Sequence, residues 1–272
     1  MTEGSYPERI VCLTEETTET LYLLGEDSRI VGISGFTVRP KRARKEKPRV
    51  SAFLSAKIDR ILALEPDLVL GFSDLQADIG SELVRRGIEV HMFNHRSVDG
   101  IFRMMRVLGG MIGCEDKTAG LIRRLEQGLD TIREKAGQLP CRPRVYFEEW
   151  DDPMISGIRW VSELVGIAGG EDCFPELAAG SLGKDRIVAD ASDVIERDPD
   201  IIIGSWCGKK FATAKVRERP GWGAIAAVRD NELHEIKSPL ILQPGPAALT
   251  DGVAALHRII ADWAARQVSA GQ

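Results

Sequence analysis

The sequence contains the same unit twice, and this repeat constrains the fold more than any other feature. Residues 58–71 (IDRILALEPDLVLG) return as residues 191–204 (ASDVIERDPDIIIG). Each copy reads as a short amphipathic helix, a Pro-Asp turn that ends the helix, and an uninterrupted β-branched or leucine strand closed by glycine. Continuous apolar strands of this kind belong to parallel sheets that are covered on both faces. The repeat therefore predicts two similar α/β units in one chain.

A second pair of matched segments follows the repeat in the same order. Residues 86–91 (RGIEVH) correspond to residues 229–234 (RDNELH), and opening strands are predicted at 9–13 and 144–148. Strands that alternate with helices predict βα units and a mainly parallel sheet in each lobe. A chain of 272 residues is long enough for two lobes with separate cores.

One long helix is predicted between the two halves. Residues 117–138 carry apolar side chains at helical spacing with charges on the other face, and a glycine and a proline stop the helix. The predicted organisation is an N-terminal α/β lobe at 1–113, a connecting helix at 114–140 and a C-terminal α/β lobe at 141–272.

This arrangement resembles the helical-backbone class of substrate-binding proteins that serve ABC importers of cobalamin and ferric siderophores. Besides the repeat, the similar pieces are residues 153–157 (PMISG), residues 168–174 (AGGEDCF) and residues 244–246 (PGP) before a C-terminal helix. The resemblance implies a monomeric binding protein without catalytic residues or an intrinsic cofactor. It also implies that cobalamin or a ferric siderophore binds in the cleft between the lobes.

The resemblance further implies an ABC permease as a partner. The family docks through one acidic residue in each lobe, on the helix before the Pro-Asp turn. Asp59 matches in the first lobe, whereas the strictly equivalent residue in the second lobe is Ser192, with Asp193 beside it. We therefore expect Asp59 and Asp193 to be the docking residues.

Candidate ligand-binding residues follow the predicted strands, because ligands of open parallel sheets gather outside the carboxyl ends of the strands. Phe53 also matches an aromatic pocket residue of cobalamin binders, and Phe36 falls where the family often has tyrosine. The aromatic rings either bury a flat, partly apolar ligand or cap the ends of the sheets. The predicted ligand-binding residues are Phe36, Arg39, Phe53, Asp74, Glu148, Glu149, Trp150, Trp206 and Lys209.

Several other functions are disfavoured by composition and spacing. The net charge of −5 lacks the basicity of a nucleic-acid-binding protein. His91 and His95 lie in one lobe and the other two histidines in the other, so no bare-metal site is predicted. The seven cationic residues between 39 and 49 are read as a solvated loop or as a surface that attracts an anionic chelate.

The cellular compartment has two interpretations. The resemblance implies a periplasmic protein, and no apolar run approaches the roughly 20 residues of a membrane-spanning helix. However, the first nine residues do not resemble a secretory signal. The alternative is a cytoplasmic relative that handles a corrinoid or metallocofactor as an enzyme or a subunit.

Overall fold

The computed structural model describes residues 6–270, and the side chains only up to residue 268. The first five residues, part of the segment compared above with a secretory signal, lie outside the described residues. The chain divides into two compact units. Unit 1 is the chain up to His95 together with Asp99–Arg124, and unit 2 is Arg96–Val98 together with the chain from Leu125 onward.

Unit 1 contains a five-stranded parallel sheet. Its strands lie in the order β3-β2-β1-β4-β5. They are β1 (Ile10–Cys12), β2 (Ile30–Ser34), β3 (Arg49–Ser51), β4 (Leu68–Phe72) and β5 (Val90–Phe93). The helices that begin in the first half of the chain are α1 (Glu15–Leu24), α2 (Ala43–Glu46), α3 (Ile58–Leu62), α4 (Ala77–Arg85), α5 (Val98–Met111) and α6 (Glu115–Ala136).

Unit 2 contains a second, mixed sheet. Its strands run β10-β9-β6-β7, with β8 also paired to β6, and only β7 is antiparallel to its neighbour. They are β6 (Arg144–Asp151), β7 (Met154–Ser156), β8 (Glu171–Asp172), β9 (Ile201–Gly204) and β10 (Leu233–Glu235). The helices are α7 (Arg159–Ala168), α8 (Ala191–Arg197), α9 (Thr213–Arg217), α10 (Ala226–Arg229), α11 (Ser238–Ile241) and α12 (Val253–Ala270), the last preceded by a π-helical turn at Ala248–Gly252.

The two copies of the sequence repeat occupy the same position in their sheets. In unit 1 the repeat strand β4 lies between β1 and β5, and in unit 2 the repeat strand β9 lies between β6 and β10. The register is also the same, because Leu70 pairs with His91 and Ile203 pairs with His234. Leu70 corresponds to Ile203 and His91 to His234 in the two matched segments, so the repeated sequence forms the same βα arrangement in both units.

The turn of the repeat is held by its aspartate. The Asp67 carboxylate accepts the backbone N–H of Arg9 at 2.9 Å, and the Asp200 carboxylate accepts that of Arg144 at 2.8 Å. Both arginines also donate to a carbonyl oxygen of the segment before the Pro-Asp turn. The Pro-Asp aspartate therefore fixes the amino end of the opening strand against the repeat strand in each unit.

The glycine that ends the repeated sequence has a different neighbour in each unit. A Cβ atom added at Gly71 would meet the flexible Met92 thioether, with the sulfur at 2.5 Å, whereas one added at Gly204 would overlap the buried Phe211 ring. A methionine side chain can move aside, but a packed ring cannot. Close packing therefore excludes a side chain at Gly204 more strictly than at Gly71.

Candidate ligand-binding site

The carboxyl end of β1 carries buried carboxylates that sequence reasoning did not select. Glu15 and Glu16 are the first two residues of α1, shortly after the strand, and they are only 6% and 1% exposed. The Thr14 hydroxyl donates to Glu16 Oε1 at 2.5 Å, while Glu16 Oε2 has no hydrogen-bond partner among the described residues. The signal was available in the run Thr14-Glu15-Glu16 immediately after a predicted strand.

Burial governs the protonation of both carboxyls. It raises the pKa of Glu15 to about 7 and that of Glu16 to about 8, and the hydrogen bond from Thr14 only partly opposes the second shift. A protonated carboxyl can donate a hydrogen bond as well as accept one. This edge of unit 1 therefore holds two buried carboxyls that lose their protons only near neutral pH or above it.

Three of the predicted residues of unit 1 lie at the same edge of its sheet. Phe36 follows β2 and is 54% exposed, and Asp74 is exposed after β4. Phe53 follows β3 and is half-buried, with its carbonyl oxygen accepting from Gln76 Nε2 at 2.9 Å. All of these residues follow strands that run in one direction, so the binding roles predicted for Phe36, Phe53 and Asp74 fit their positions and stay predictions.

Arg39 is tied to α1. Its Nε donates to Glu19 Oε1 at 2.8 Å, and the Glu19 side chain is 9% exposed. The ion pair lines a pocket of about 370 Å³ whose other walls come from Tyr22, Leu23 and residues 38–42. Arg39 is thus oriented by a carboxylate of its own unit.

In unit 2, Glu148 is the centre of a buried polar cluster. Its Oε1 accepts from Trp206 Nε1 at 3.0 Å and from Arg219 Nη2 at 2.9 Å, and its Oε2 accepts from Tyr146 Oη at 2.9 Å and Arg219 Nη1 at 2.7 Å. Glu148 is not exposed at all, and Trp206 is 3% exposed with its ring packed edge-on to Phe211. Both residues were predicted to contact ligand. In this structure they hold the end of β6 and the loop after β9.

Glu149 points to the opposite face of β6, as alternation along a strand requires. Its carboxylate accepts the Ile158 N–H at 2.7 Å and lies 2.9 Å from Arg186 Nη1. Burial raises the pKa of Glu149, and the nearby Arg186 charge offsets this only in part. The Glu149 side chain, 13% exposed, thus anchors the start of α7.

Trp150 and Lys209 form the accessible part of the predicted unit 2 site. The Lys209 Nζ lies 3.9 Å from the centre of the Trp150 ring and pairs with Asp151, which also lies 3.5 Å from Lys215 Nζ. Burial acts against the charged form of Asp151, but the hydrogen bond from Lys209, a backbone hydrogen bond and the charges of Lys209 and Lys215 together outweigh it and lower the pKa. The result is an aromatic face with a fixed positive charge at the carboxyl end of β6.

A pocket of about 400 Å³ lies beside these residues at the carboxyl ends of β9 and β10. Lys209, Lys210 and Lys237 bring positive charge to its wall, and Trp206 brings apolar surface. The carboxylate of Glu235, which also lines the pocket, accepts the Phe211 N–H at 3.0 Å. This pocket can take a group that is partly apolar and carries negative charge.

The predicted docking residues lie on the helices before the Pro-Asp turns. Asp59 is exposed in the first turn of α3, and Asp193 is half-buried in the first turn of α8. The residue that caps α8 is Asp190, whose carboxylate accepts the Ser192 N–H at 2.8 Å. Docking through Asp59 and Asp193 stays a prediction.

Two other kinds of site have no candidate in the part of the chain that the structure describes. Between residues 6 and 270, no helix combines the length and apolar content needed to cross a bilayer. Over the same stretch, no group of three or more His, Cys, Asp or Glu side chains is arranged to hold a metal ion.

Comparison with known proteins gives one matching family and several similar chains. The family described as periplasmic binding protein matches residues 10–240. An uncharacterized ABC transporter substrate-binding lipoprotein of Bacillus subtilis is 26% identical over 263 residues, which cover 93% of this chain and 80% of the relative. A vitamin B12-binding protein of Vibrio parahaemolyticus is 24% identical over 246 residues, which cover 89% of this chain and 86% of the relative.

Among solved structures, the fold is similar to that of a possible iron-binding, periplasmic solute-binding protein of Staphylococcus epidermidis. The TM-score is 0.81 at 21% sequence identity, and the match covers 94% of this chain and 99% of the other. This likeness confirms the predicted fold class of two α/β lobes with mainly parallel sheets.

Proposed function

The chain belongs to the periplasmic binding protein family, and from this membership we propose that it is the substrate-binding protein of an ABC-type importer, with cobalamin or a related metal chelate as its ligand. The observation that carries the proposal is the family match over residues 10–240 together with the relative named as a vitamin B12-binding protein, which aligns with 89% of this chain. The similar structure, that of a possible iron-binding protein, supports a ferric chelate as the second ligand to test.

Exposed aromatic and polar groups at the carboxyl ends of the strands support this function. A corrinoid offers a large flat face rimmed by amides, so it requires apolar rings together with a few oriented polar groups. Phe36, Phe53 and Trp150 supply rings, and Arg39 and Lys209 supply charges that are already positioned by carboxylates.

The remaining predicted residues act indirectly in this proposal. Glu148 and Glu149 are held in the interior of unit 2, and Trp206 is 3% exposed where it lines the pocket of about 400 Å³. The proposed role of these three side chains is to fix the backbone that presents Trp150 and Lys209. Asp74 lies exposed in unit 1, and its proposed role is to accept hydrogen bonds from ligand amides.

We also propose that the protein carries out no chemistry of its own. Its family consists of substrate-binding proteins, and the relative from Bacillus subtilis is named a lipoprotein of an ABC transporter. By the same reasoning, we propose that the protein is a monomer that works outside the cytoplasmic membrane and has no intrinsic cofactor. It would deliver its ligand to a permease through Asp59 and Asp193.

The test is a calorimetric and tryptophan-quenching titration with cyanocobalamin, and in parallel with a ferric hydroxamate siderophore. Trp150→Ala should weaken the affinity for the true ligand by about ten-fold, since one aromatic contact of roughly 1 kcal/mol plus its apolar area corresponds to that factor. Trp263→Ala is the matched control, because Trp263 is also half-buried in unit 2 but lies on α12.

Absence of binding to both probes at millimolar concentration would refute the proposed ligand class. Equal loss of affinity in the two tryptophan variants would show that the end of β6 is not the binding surface. Turnover of either probe would contradict the non-enzymatic assignment.

A further inference from the structure

The basic segment between residues 39 and 49 is divided into two sets by the structure. Arg39 pairs with Glu19, as described above, and Arg42 lies 3.3 Å from Asp27 with its guanidinium 4.6 Å from the centre of the Tyr22 ring. These arginines are engaged by carboxylates of their own unit. Three of the remaining cations, Arg44, Lys47 and Arg49, have a different environment.

Arg44, Lys47 and Arg49 converge with Arg60 of α3 on one groove of about 450 Å³. The rest of its lining is apolar or backbone, and it contains no acidic side chain. Lys47 is half-buried and the three arginines are exposed. Among the described residues, none of these four side chains is paired with a carboxylate.

The groove lies at the amino edge of the unit 1 sheet. Arg49 is the first residue of β3, whereas Phe53, a residue of the proposed ligand site, follows the last residue of that strand. Arg9 adds to the positive potential, because its guanidinium donates at 2.6 Å to the carbonyl oxygen of Leu64, which lines the groove. The groove is therefore separate from the ligand-binding edge of this sheet.

Like charges gathered around one concave surface repel each other, and an anion that accepts hydrogen bonds from several directions removes that repulsion. Guanidinium groups match the oxygens of phosphate and carboxylate in a bidentate geometry. A carboxylate offers two oxygens in one plane, whereas a phosphate offers three or four around a tetrahedral centre. Three guanidinium groups and one ammonium from two chain segments therefore suit a phosphate better.

We propose that the groove formed by Arg44, Lys47, Arg49 and Arg60 is a second binding site that takes a phosphate-bearing anion. The occupant is either a soluble phosphate or the phosphate of an anionic lipid headgroup. The helix α3 that supplies Arg60 also carries Asp59, so occupancy of the groove would alter the electrostatic surroundings of the predicted docking residue.

The test measures pyrophosphate binding by calorimetry and sedimentation with vesicles of phosphatidylcholine and phosphatidylglycerol, both at low ionic strength. Arg49→Gln combined with Arg60→Gln should weaken binding at least about ten-fold, since hydrogen bonds between charged groups are worth roughly 1.5 kcal/mol or more. Lys41→Gln combined with Lys45→Gln removes the same charge from exposed residues outside the groove and should leave binding within about two-fold.

Binding of pyrophosphate but not vesicles would identify the occupant as a soluble phosphate, and binding of vesicles but not pyrophosphate would identify it as a lipid headgroup. Either result supports the site if the groove variant binds more weakly than the control variant. Equal impairment of the two variants would reduce the effect to net charge and overturn the proposal. So would the absence of binding to both probes by the unmodified protein. Affinity for the chelate ligand should be unchanged in the groove variant, which separates failure of this site from failure of the proposed function.

Discussion

Replacement of Arg219 by methionine tests whether the polar cluster of unit 2 is held together by charge. Arg219 donates two of the four hydrogen bonds that Glu148 accepts, and Glu148 has no solvent exposure. Methionine keeps much of the apolar stem but removes the positive charge. The variant leaves a carboxylate buried with only the hydroxyl of Tyr146 and the indole N–H of Trp206 as donors.

The expected loss in the free energy of unfolding is about 3–5 kcal/mol, the range for a buried ion pair that loses one partner. Two charged hydrogen bonds at roughly 1.5–3 kcal/mol each give a similar figure. Arg219→Met combined with Glu148→Gln should be less harmful than Arg219→Met alone, because no uncompensated charge remains in the double variant.

Urea titration followed by tryptophan fluorescence isolates this effect. All five tryptophans lie between residues 150 and 263 and thus in unit 2, so the emission reports the unfolding of that unit. With a slope of roughly 2 kcal/mol per molar urea, the midpoint should fall by about 2 M. Arg217→Met is the control, because Arg217 is exposed on α9, and its midpoint should move by less than about 0.3 M.

A shift below about 0.5 M in Arg219→Met would refute the reasoning, since the carboxylate would then be satisfied without its cation. A double variant less stable than the single variant would likewise show that packing, rather than charge, dominates the site.

Three further outcomes are expected. Burial raises the pKa of Glu15 to about 7 and that of Glu16 to about 8, from 4.5, so the native state holds protons that the unfolded chain releases. Hydrogen-exchange protection of β1 should therefore be full below about pH 4.5 and decline as the pH rises to about 8. The variant with glutamine at both positions should show a flat profile, and a flat profile in the unmodified protein would contradict the argument. Gly204→Ala should lower the free energy of unfolding by about 2 kcal/mol or more and Gly71→Ala by about 1, with equal thermal shifts counting against the packing argument. Asp200→Ala should lower the stability of unit 2 by about 1–2 kcal/mol in the fluorescence titration, and no change would mean that water replaces its hydrogen bond to the opening strand.

The architecture was predictable because it rests on local patterns that occur twice. Residues 58–71 and 191–204 each encode a helix, a turn and a strand, and the predicted fold class is confirmed. The long helix, predicted at 117–138, runs over Glu115–Ala136, and its ends differ by two residues because capping is a weaker signal than apolar periodicity.

The roles of individual side chains at the strand ends were less accessible to sequence reasoning. Trp206 and Glu148 were selected because they lie at the ends of strands. The structure shows that Arg219, which lies 71 residues after Glu148, donates two hydrogen bonds to the buried Glu148 carboxylate, and that this carboxylate also accepts the Trp206 indole N–H. Conversely, Glu15 and Glu16 look like an ordinary charged helix start, and only their burial makes them unusual.

The sequence alone determined that the chain forms two α/β units from one repeated pattern, since strand and helix periodicity and the Pro-Asp turn act over a few residues. Only the tertiary structure decided which charges meet. Arg39 forms an ion pair with Glu19 in unit 1, whereas Arg44 and Arg49 from the same basic segment line, together with Arg60, a groove that contains no carboxylate. The energy of such groups depends on distance and burial in three dimensions, and neither quantity can be read from spacing along the chain.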